Sequence, residues 1–170
     1  ELYADIFSKI YGLETIGLRY FNVFGRKQDP NSTYAAVIPK FASQLINGES
    51  PVINGDGYYS RDFTYIDNVI QANLLSLTTT NEKAINTVYN IAYGDRNTLN
   101  DLMQYLKKYL SEFDAEISKI KVIHGPIRVG DVPHSLASID KAKKYLNYEP
   151  KYSIEQGLKI AVKWYWKNLK

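Results

Sequence analysis

Two arginine-centred segments carry the residue types best suited to gripping an anion. Asn54-Gly55-Asp56-Gly57-Tyr58-Tyr59-Ser60-Arg61 sets a carboxamide and a guanidinium on either side of a tight turn. Arg128-Val129-Gly130-Asp131 sets a second guanidinium three residues before a carboxylate, in a glycine-containing loop. Guanidinium forks match phosphate oxygens, and a nearby aspartate suits ribose hydroxyls. The same segments also read as Asn-Gly or Asp-Gly turns carrying solvated arginines, and spacing by itself does not choose. A third run, Leu18-Arg19-Tyr20-Phe21-Asn22-Val23-Phe24-Gly25-Arg26, ends an apolar strand in a polar turn. Open α/β sheets build ligand sites at such ends, so the strand should deliver Tyr20 and Asn22 to a rim. Arg26-Lys27-Gln28-Asp29 reads as a surface charge cluster.

Other residues with chemical potential have plainer explanations. His124 lies in an apolar strand and His134 follows Pro133; neither has a metal-ligating partner near it in sequence, so both read as structural histidines and no metal is assigned. Lys159, Lys163 and Lys167 fall on one side of the last helix, with Trp164 and Trp166 flanking them, as a solvated basic face beside core aromatics would. The 15 tyrosines are scattered along a chain of net charge only +3, so base stacking and a nucleic-acid partner are not expected.

The elements that must position these residues follow from periodicity. Residues 1–11 predict a helix, 15–22 a strand, and 35–47 a helix with Val37, Ile38, Phe41, Leu45 and Ile46 at helical spacing and Gly48 as its C-cap. Residues 51–54 and 61–66 predict two strands joined by a hairpin-like turn at Gly55-Asp56-Gly57. A helix over 67–78 and a strand over 87–92 come next. Thr98 and Asp101 are spaced as a capping-box variant before a helix carrying Leu99, Leu102, Met103, Leu106 and Leu110. Residues 121–124 predict a strand, 125–133 a loop, and 140–146 a short helix. Ser153 and Gln156 predict a capping box for the last helix, with Ile154, Leu158, Ala161, Val162, Tyr165 and Leu169 as its apolar stripe. The alternation favours α/β, as a fragment of a parallel sheet with a smaller lobe rather than a complete sheet.

Composition bounds the rest. A chain of 170 residues suits a single domain over 1–170, and its 45% apolar content is globular. No apolar run reaches the roughly 18 residues of a membrane span, so no membrane partner is expected. The absence of cysteine excludes disulfides and thiol chemistry and fits a reducing compartment, with the cytoplasm as the expected setting.

Taken together, the segments resemble the carboxy-terminal half of an extended short-chain dehydrogenase/reductase, specifically a bacterial UDP-N-acetylhexosamine 4-epimerase. The resemblance covers essentially the whole chain. It rests on Leu18 to Gly25, Gln28-Asp29-Pro30-Asn31 running into Tyr34 to Lys40, Ile53-Asn54-Gly55-Asp56-Gly57, Ser60-Arg61-Asp62-Phe63, Tyr65-Ile66-Asp67-Asn68-Val69 and Gly130-Asp131-Val132. It implies a Rossmann-type α/β fold, of which this chain holds the last sheet strands plus the small substrate-binding lobe. It further implies an NAD-dependent enzyme in which a Tyr-x-x-x-Lys tyrosine takes the sugar 4-hydroxyl proton, hydride passes to NAD, and a 4-keto sugar is reduced on its other face.

By position, the resemblance assigns Asn22 to the UDP-sugar near its diphosphate and Tyr20 to the nicotinamide. It assigns Ala36 and Val37 to the uracil, Asn54 to the nucleotide, Arg61 and Arg128 to the diphosphate, and Asp131 to the ribose. Ser135 falls beside the sugar pocket, where a small side chain leaves room for an N-acetyl group. Val52 stands where relatives carry a tyrosine. The chain contains no Tyr-x-x-x-Lys and no G-x-x-G-x-x-G, and Glu1-Leu2-Tyr3-Ala4 resembles the helix just after that lysine, so the resemblance implies a chain that begins just downstream of the catalytic pair and is inactive alone, and a homodimeric parent. A nucleotide-sugar dehydratase, a different epimerase, or a nucleotide-binding or interaction module without chemistry are the alternatives.

Overall fold

The computed structural model describes residues 1–31 and 37–170, an α/β arrangement of short parallel strands and six α-helices among those residues. Helix α1 (Leu2–Tyr11) precedes strand β1 (Ile16–Tyr20), which pairs in parallel with β6 (Thr87–Ile91), Leu18 lying opposite Tyr89. Among the described residues no strand pairs with the other edge of β1.

The strand expected over 15–22 is two strands. Asn22 takes φ +37°, a backbone that asparagine tolerates better than most side chains, and the chain changes partners there. Beyond it, β2 (Val23–Phe24) pairs in parallel with β5 (Thr64–Tyr65).

The hairpin expected around Gly55-Asp56-Gly57 does not form. Strand β3 (Val52–Asn54) pairs in parallel with β8 (Ile123–Gly125), and β4 (Ser60–Arg61) pairs antiparallel with β7 (Asn97–Thr98). The turn residues serve other contacts instead. Gly55 N–H donates to Gly125 O at 2.9 Å, and Asn100 N–H donates to Gly57 O at 3.1 Å. The strand expected at 121–124 therefore sits at 123–125, in register with β3, and β7 itself had no expected counterpart.

The helices fall close to their expected spans: α2 (Val37–Ile46), α3 (Ile66–Thr78), α4 (Leu99–Leu110), α5 (Asp140–Leu146) and α6 (Ile154–Asn168). Short 3₁₀ turns at Glu82–Ala84 and Ala115–Lys119 are additional. Both capping boxes form, Thr98 with Asp101 and Ser153 with Gln156, each satisfying end amides that would otherwise lack a partner. Helix α2 ends as expected at Gly48, in a Schellman motif: Gly48 N–H donates to Leu45 O and Glu49 N–H to Gln44 O.

Packing forms two apolar clusters. One joins α2, α4 and α6 through Phe41, Leu45, Leu106, Leu158 and Tyr165; the other joins β6 and α5 through Tyr89, Ile91, Ala142 and Leu146. Ile66 packs against both. The stripe expected on α6 is buried from Ile154 to Tyr165, while Lys159, Lys163 and Lys167 are exposed. Among the described residues no helix is long and apolar enough to cross a membrane.

Candidate functional site

A cavity of about 360 Å³ opens where several separate stretches of chain converge. Strand β3 exposes Val52 and Asn54 on the face opposite buried Ile53, and both line the cavity. Arg61 reaches it from β4, Asn22 from the break between β1 and β2, and Val37, Ile38 and Phe41 from the start of α2. Arg128 and Asp131 complete the wall from the loop that follows β8.

Each polar side chain is held by a specific backbone arrangement. Asn22 Nδ2–H donates to Asp62 O at 3.2 Å, and Thr64 N–H donates to Asn22 O, locking the break against the start of β5. Arg61 spends its Nη1 donors on backbone, Ser60 O at 2.9 Å and Pro133 O at 3.3 Å, and among the described residues nothing accepts from Nε and Nη2, which can act as a side-on fork. Asp131 N–H turns back onto Arg128 O at 3.3 Å. Gly130 lies between them at φ +89°, a conformation that a side chain would strain, and this brings the guanidinium and the carboxylate to one cavity.

Beneath the arginine strand lies a buried carboxylate. Asp62 is fully inaccessible and accepts from Tyr93 N–H at 3.1 Å and Gly94 N–H at 3.0 Å. Burial pushes its carboxyl above the usual range, opposed by the amides of Gly94, Tyr93 and Ala137 that favour the charged form. Asp62 thus ties the turn after β6 to the strand that presents Arg61.

Six of the eight expected substrate residues line this one cavity: Asn22, Val37, Asn54, Arg61, Arg128 and Asp131. Ala36 lies outside the described residues. Ser135 is not on the wall; its N–H donates to Ser60 O at 3.1 Å, beside the arginine strand. Tyr20 is half exposed at the end of β1, with its hydroxyl donating to Asn73 Oδ1 at 3.0 Å. The backbone break at Asn22 separates the two residues that a continuous strand would have set on one face.

Lys40 and Tyr59 also line the cavity and were missed. Helical spacing from Val37 and strand spacing from Arg61 could have found them, at i+3 and i−2. The histidines hold local structure, His124 Nδ1 lying 2.8 Å from Gly55 O and His134 Nδ1 lying 2.9 Å from Ser60 Oγ. Among the described residues no group of three His, Asp or Glu could hold a metal ion.

Lys40, Arg61 and Arg128 outnumber Asp131, so the cavity is electropositive, and its α2 side is apolar. An anion carrying a flat or apolar group, with hydroxyls for Asp131, matches that distribution.

Residues 1–92 match the family described as NAD dependent epimerase/dehydratase. A UDP-glucuronate 4-epimerase from Thermodesulfobacterium geofontis is 33% identical, over 99% of this chain and 48% of its own length. The crystal structure of a UDP-glucose 4-epimerase from Thermotoga maritima with UDP-glucose superposes with TM-score 0.87 at 38% identity, covering 99% of this chain and 51% of that one. A UDP-N-acetylglucosamine 4-epimerase from Methanobrevibacter ruminantium M1, in complex with UDP-N-acetylmuramic acid, gives TM-score 0.86 at 44% identity, covering 97% and 50%. The chain spans about half the length of the curated relatives it matches.

Proposed function

Because this chain belongs to the NAD dependent epimerase/dehydratase family, we propose that it is the nucleotide-sugar-binding half of a UDP-N-acetylhexosamine 4-epimerase acting on UDP-GlcNAc and UDP-GalNAc. The observation that carries this reading is the cavity in which Asn54, Arg61, Arg128 and Asp131 meet the apolar start of α2. Arg61 and Arg128 would neutralise the diphosphate, Asp131 would accept from the ribose, and Val37, with the neighbouring Ala36, would line the base. Asn22 would hold the sugar side of the diphosphate. Ser135, beside the arginine strand, is small enough to admit an N-acetyl group. The 44% identity to a UDP-N-acetylglucosamine 4-epimerase supports this choice of sugar over glucose.

NAD, the cofactor of the family, supplies a hydride acceptor and donor when bound. Of this chain's residues, Tyr20 fits the nicotinamide end: it is half exposed at the carboxyl end of a parallel strand, where such sheets bind dinucleotides. No G-x-x-G-x-x-G occurs in the chain, so its own residues fit only that edge of the cofactor. The proposal takes residues 1–170 as one domain, with Ile66 bridging its two clusters. The parent would be a cytoplasmic homodimer, with no nucleic-acid or membrane partner.

Incubating the purified chain with NAD and UDP-GlcNAc should give no UDP-GalNAc by chromatography, since the general base is missing from its sequence. Fused to the amino-terminal half of a relative that carries a Tyr-x-x-x-Lys, the same residues should produce turnover. Turnover by the 170 residues alone, or a longer chain that acts on other nucleotide sugars but not on UDP-GlcNAc, would refute the assignment.

A further inference from the structure

The loop that carries Arg128 and Asp131 is fastened at both ends. At its start, β8 pairs with β3 and Gly125 O accepts from Gly55 N–H. At its end, the fastening centres on Ser60 of β4. Ser60 N–H donates to Pro133 O at 2.9 Å, Ser135 N–H donates to Ser60 O at 3.1 Å, and between these two backbone bonds His134 Nδ1 lies 2.9 Å from Ser60 Oγ. Ser60 is buried, while His134 is an exposed residue. Pro133 O, fixed in this way, is also the carbonyl that accepts from Arg61 Nη1.

We propose that His134 is a positioning residue for diphosphate binding: through Ser60 it clasps the loop's end to β4 and thereby sets both arginines, Arg61 directly and Arg128 through the loop. This inference rests on the nucleotide-sugar reading of the cavity. The clasp lies between a two-residue strand and a loop, where two backbone bonds alone would fray readily. The imidazole adds a side-chain bond to Ser60 itself, beside the one that Arg61 Nη1 makes to Pro133 O, and so fixes their register. Its loss leaves Arg61 Nη1 with a wandering acceptor and lets the loop carry Arg128 away from the fork.

The role separates from general stability by ligand and by rescue. NMR-monitored titrations of the chain with UDP and with uridine measure the same site with and without the diphosphate. In His134→Ala the UDP dissociation constant should rise about fivefold, the usual size for one lost hydrogen bond, with uridine unchanged. Ser60→Ala should match it, and the double variant should be no weaker than either single one. His134→Asn, whose carboxamide can occupy the place of Nδ1, should recover UDP binding. Unchanged UDP affinity in His134→Ala, equal loss for uridine and UDP, or additive effects in the double variant would overturn the clasp. If the unaltered chain binds no UDP, the nucleotide-sugar reading itself fails and the clasp falls with it; if it binds and only the variants behave otherwise, the clasp alone fails.

Discussion

The cavity and helix α1 are opposite kinds of surface on one chain. Around the cavity, polar and charged side chains stand on a closed core: Ile53, Phe63 and Phe41, on the same short stretches as Asn54, Arg61 and Lys40, are almost inaccessible. In α1 no residue is buried, and Leu2, Ile10 and Tyr11 are 82%, 65% and 72% exposed. The helix is held by an Arg19–Glu1 ion pair, an exposed Lys9–Asp5 pair and a Phe7–Tyr11 contact, none of which contributes much in water. Polar groups over a core form a site whose geometry the chain sets internally. Apolar groups without a core form a face whose burial, in the proposed parent, would come from residues outside the chain.

The sharpest way to break this contrast is to disturb the core under the cavity. Gly157 lets α6 approach Tyr65 so closely that an added Cβ would lie 2.7 Å from the ring's Cγ. Gly157→Ala should cost about 3 kcal/mol in urea unfolding, the upper end of overpacking effects. Asp62→Asn should cost about 2 kcal/mol, because an amide N–H₂ would face the N–H of Tyr93 or Gly94 in place of an acceptor.

The same variant tests the carboxyl's displacement. With the native value raised above the unfolded one, the folded chain binds more protons between the two, so this residue's contribution falls as pH rises through that window. The stability advantage of the unaltered chain over Asp62→Asn should therefore shrink from pH 4 toward neutrality; a growing advantage would show that the three amides outweigh burial.

Smaller effects belong at the surface. Glu155 accepts from Lys108 Nζ at 2.9 Å and Tyr109 Oη–H at 2.7 Å, and these donors hold its carboxyl below the ordinary range. Glu155→Gln should lower the thermal midpoint slightly at neutral pH. The difference should vanish on acidification through the depressed native value, since that contribution exists only while the carboxylate is ionised. Smallest of all, Ile10→Asp on α1 should change the unfolding free energy by no more than about 0.5 kcal/mol and leave ligand binding intact. A large loss there would mean that the chain's own fold depends on the face that looks unpartnered.

What the sequence made legible follows the same division between local and distant. Both capping boxes, the α6 stripe and the Gly48 helix end are decided by neighbours within five residues, and they appear where expected. The arginine segments were recognisable because guanidinium, carboxamide and carboxylate recur beside turns. Strand partners were not legible. Val52 pairs with Ile123, far along the chain, and two-residue strands such as β4 and β7 have no periodicity to detect. A local hairpin was therefore the natural expectation for Gly55-Asp56-Gly57. The break at Asn22 was hidden for the same reason: nothing in Phe21-Asn22-Val23 announces a left-handed residue that moves the strand to a new partner. The Ser60–His134 clasp joins residues that only the fold brings together.

The central claim is that this half-length chain carries a working diphosphate-binding site without its relatives' other half. Calorimetric titration with UDP, comparing the unaltered chain with Arg61→Ala and Arg128→Ala, tests it most directly. One molecule should bind per chain, and each arginine variant should bind about tenfold or more weakly, as expected for a lost charge-assisted hydrogen bond, with the unfolding midpoint unchanged in Arg128→Ala and both variants still folded. No heat of binding from a chain that is folded by circular dichroism, or equal affinity in all three proteins, would contradict it.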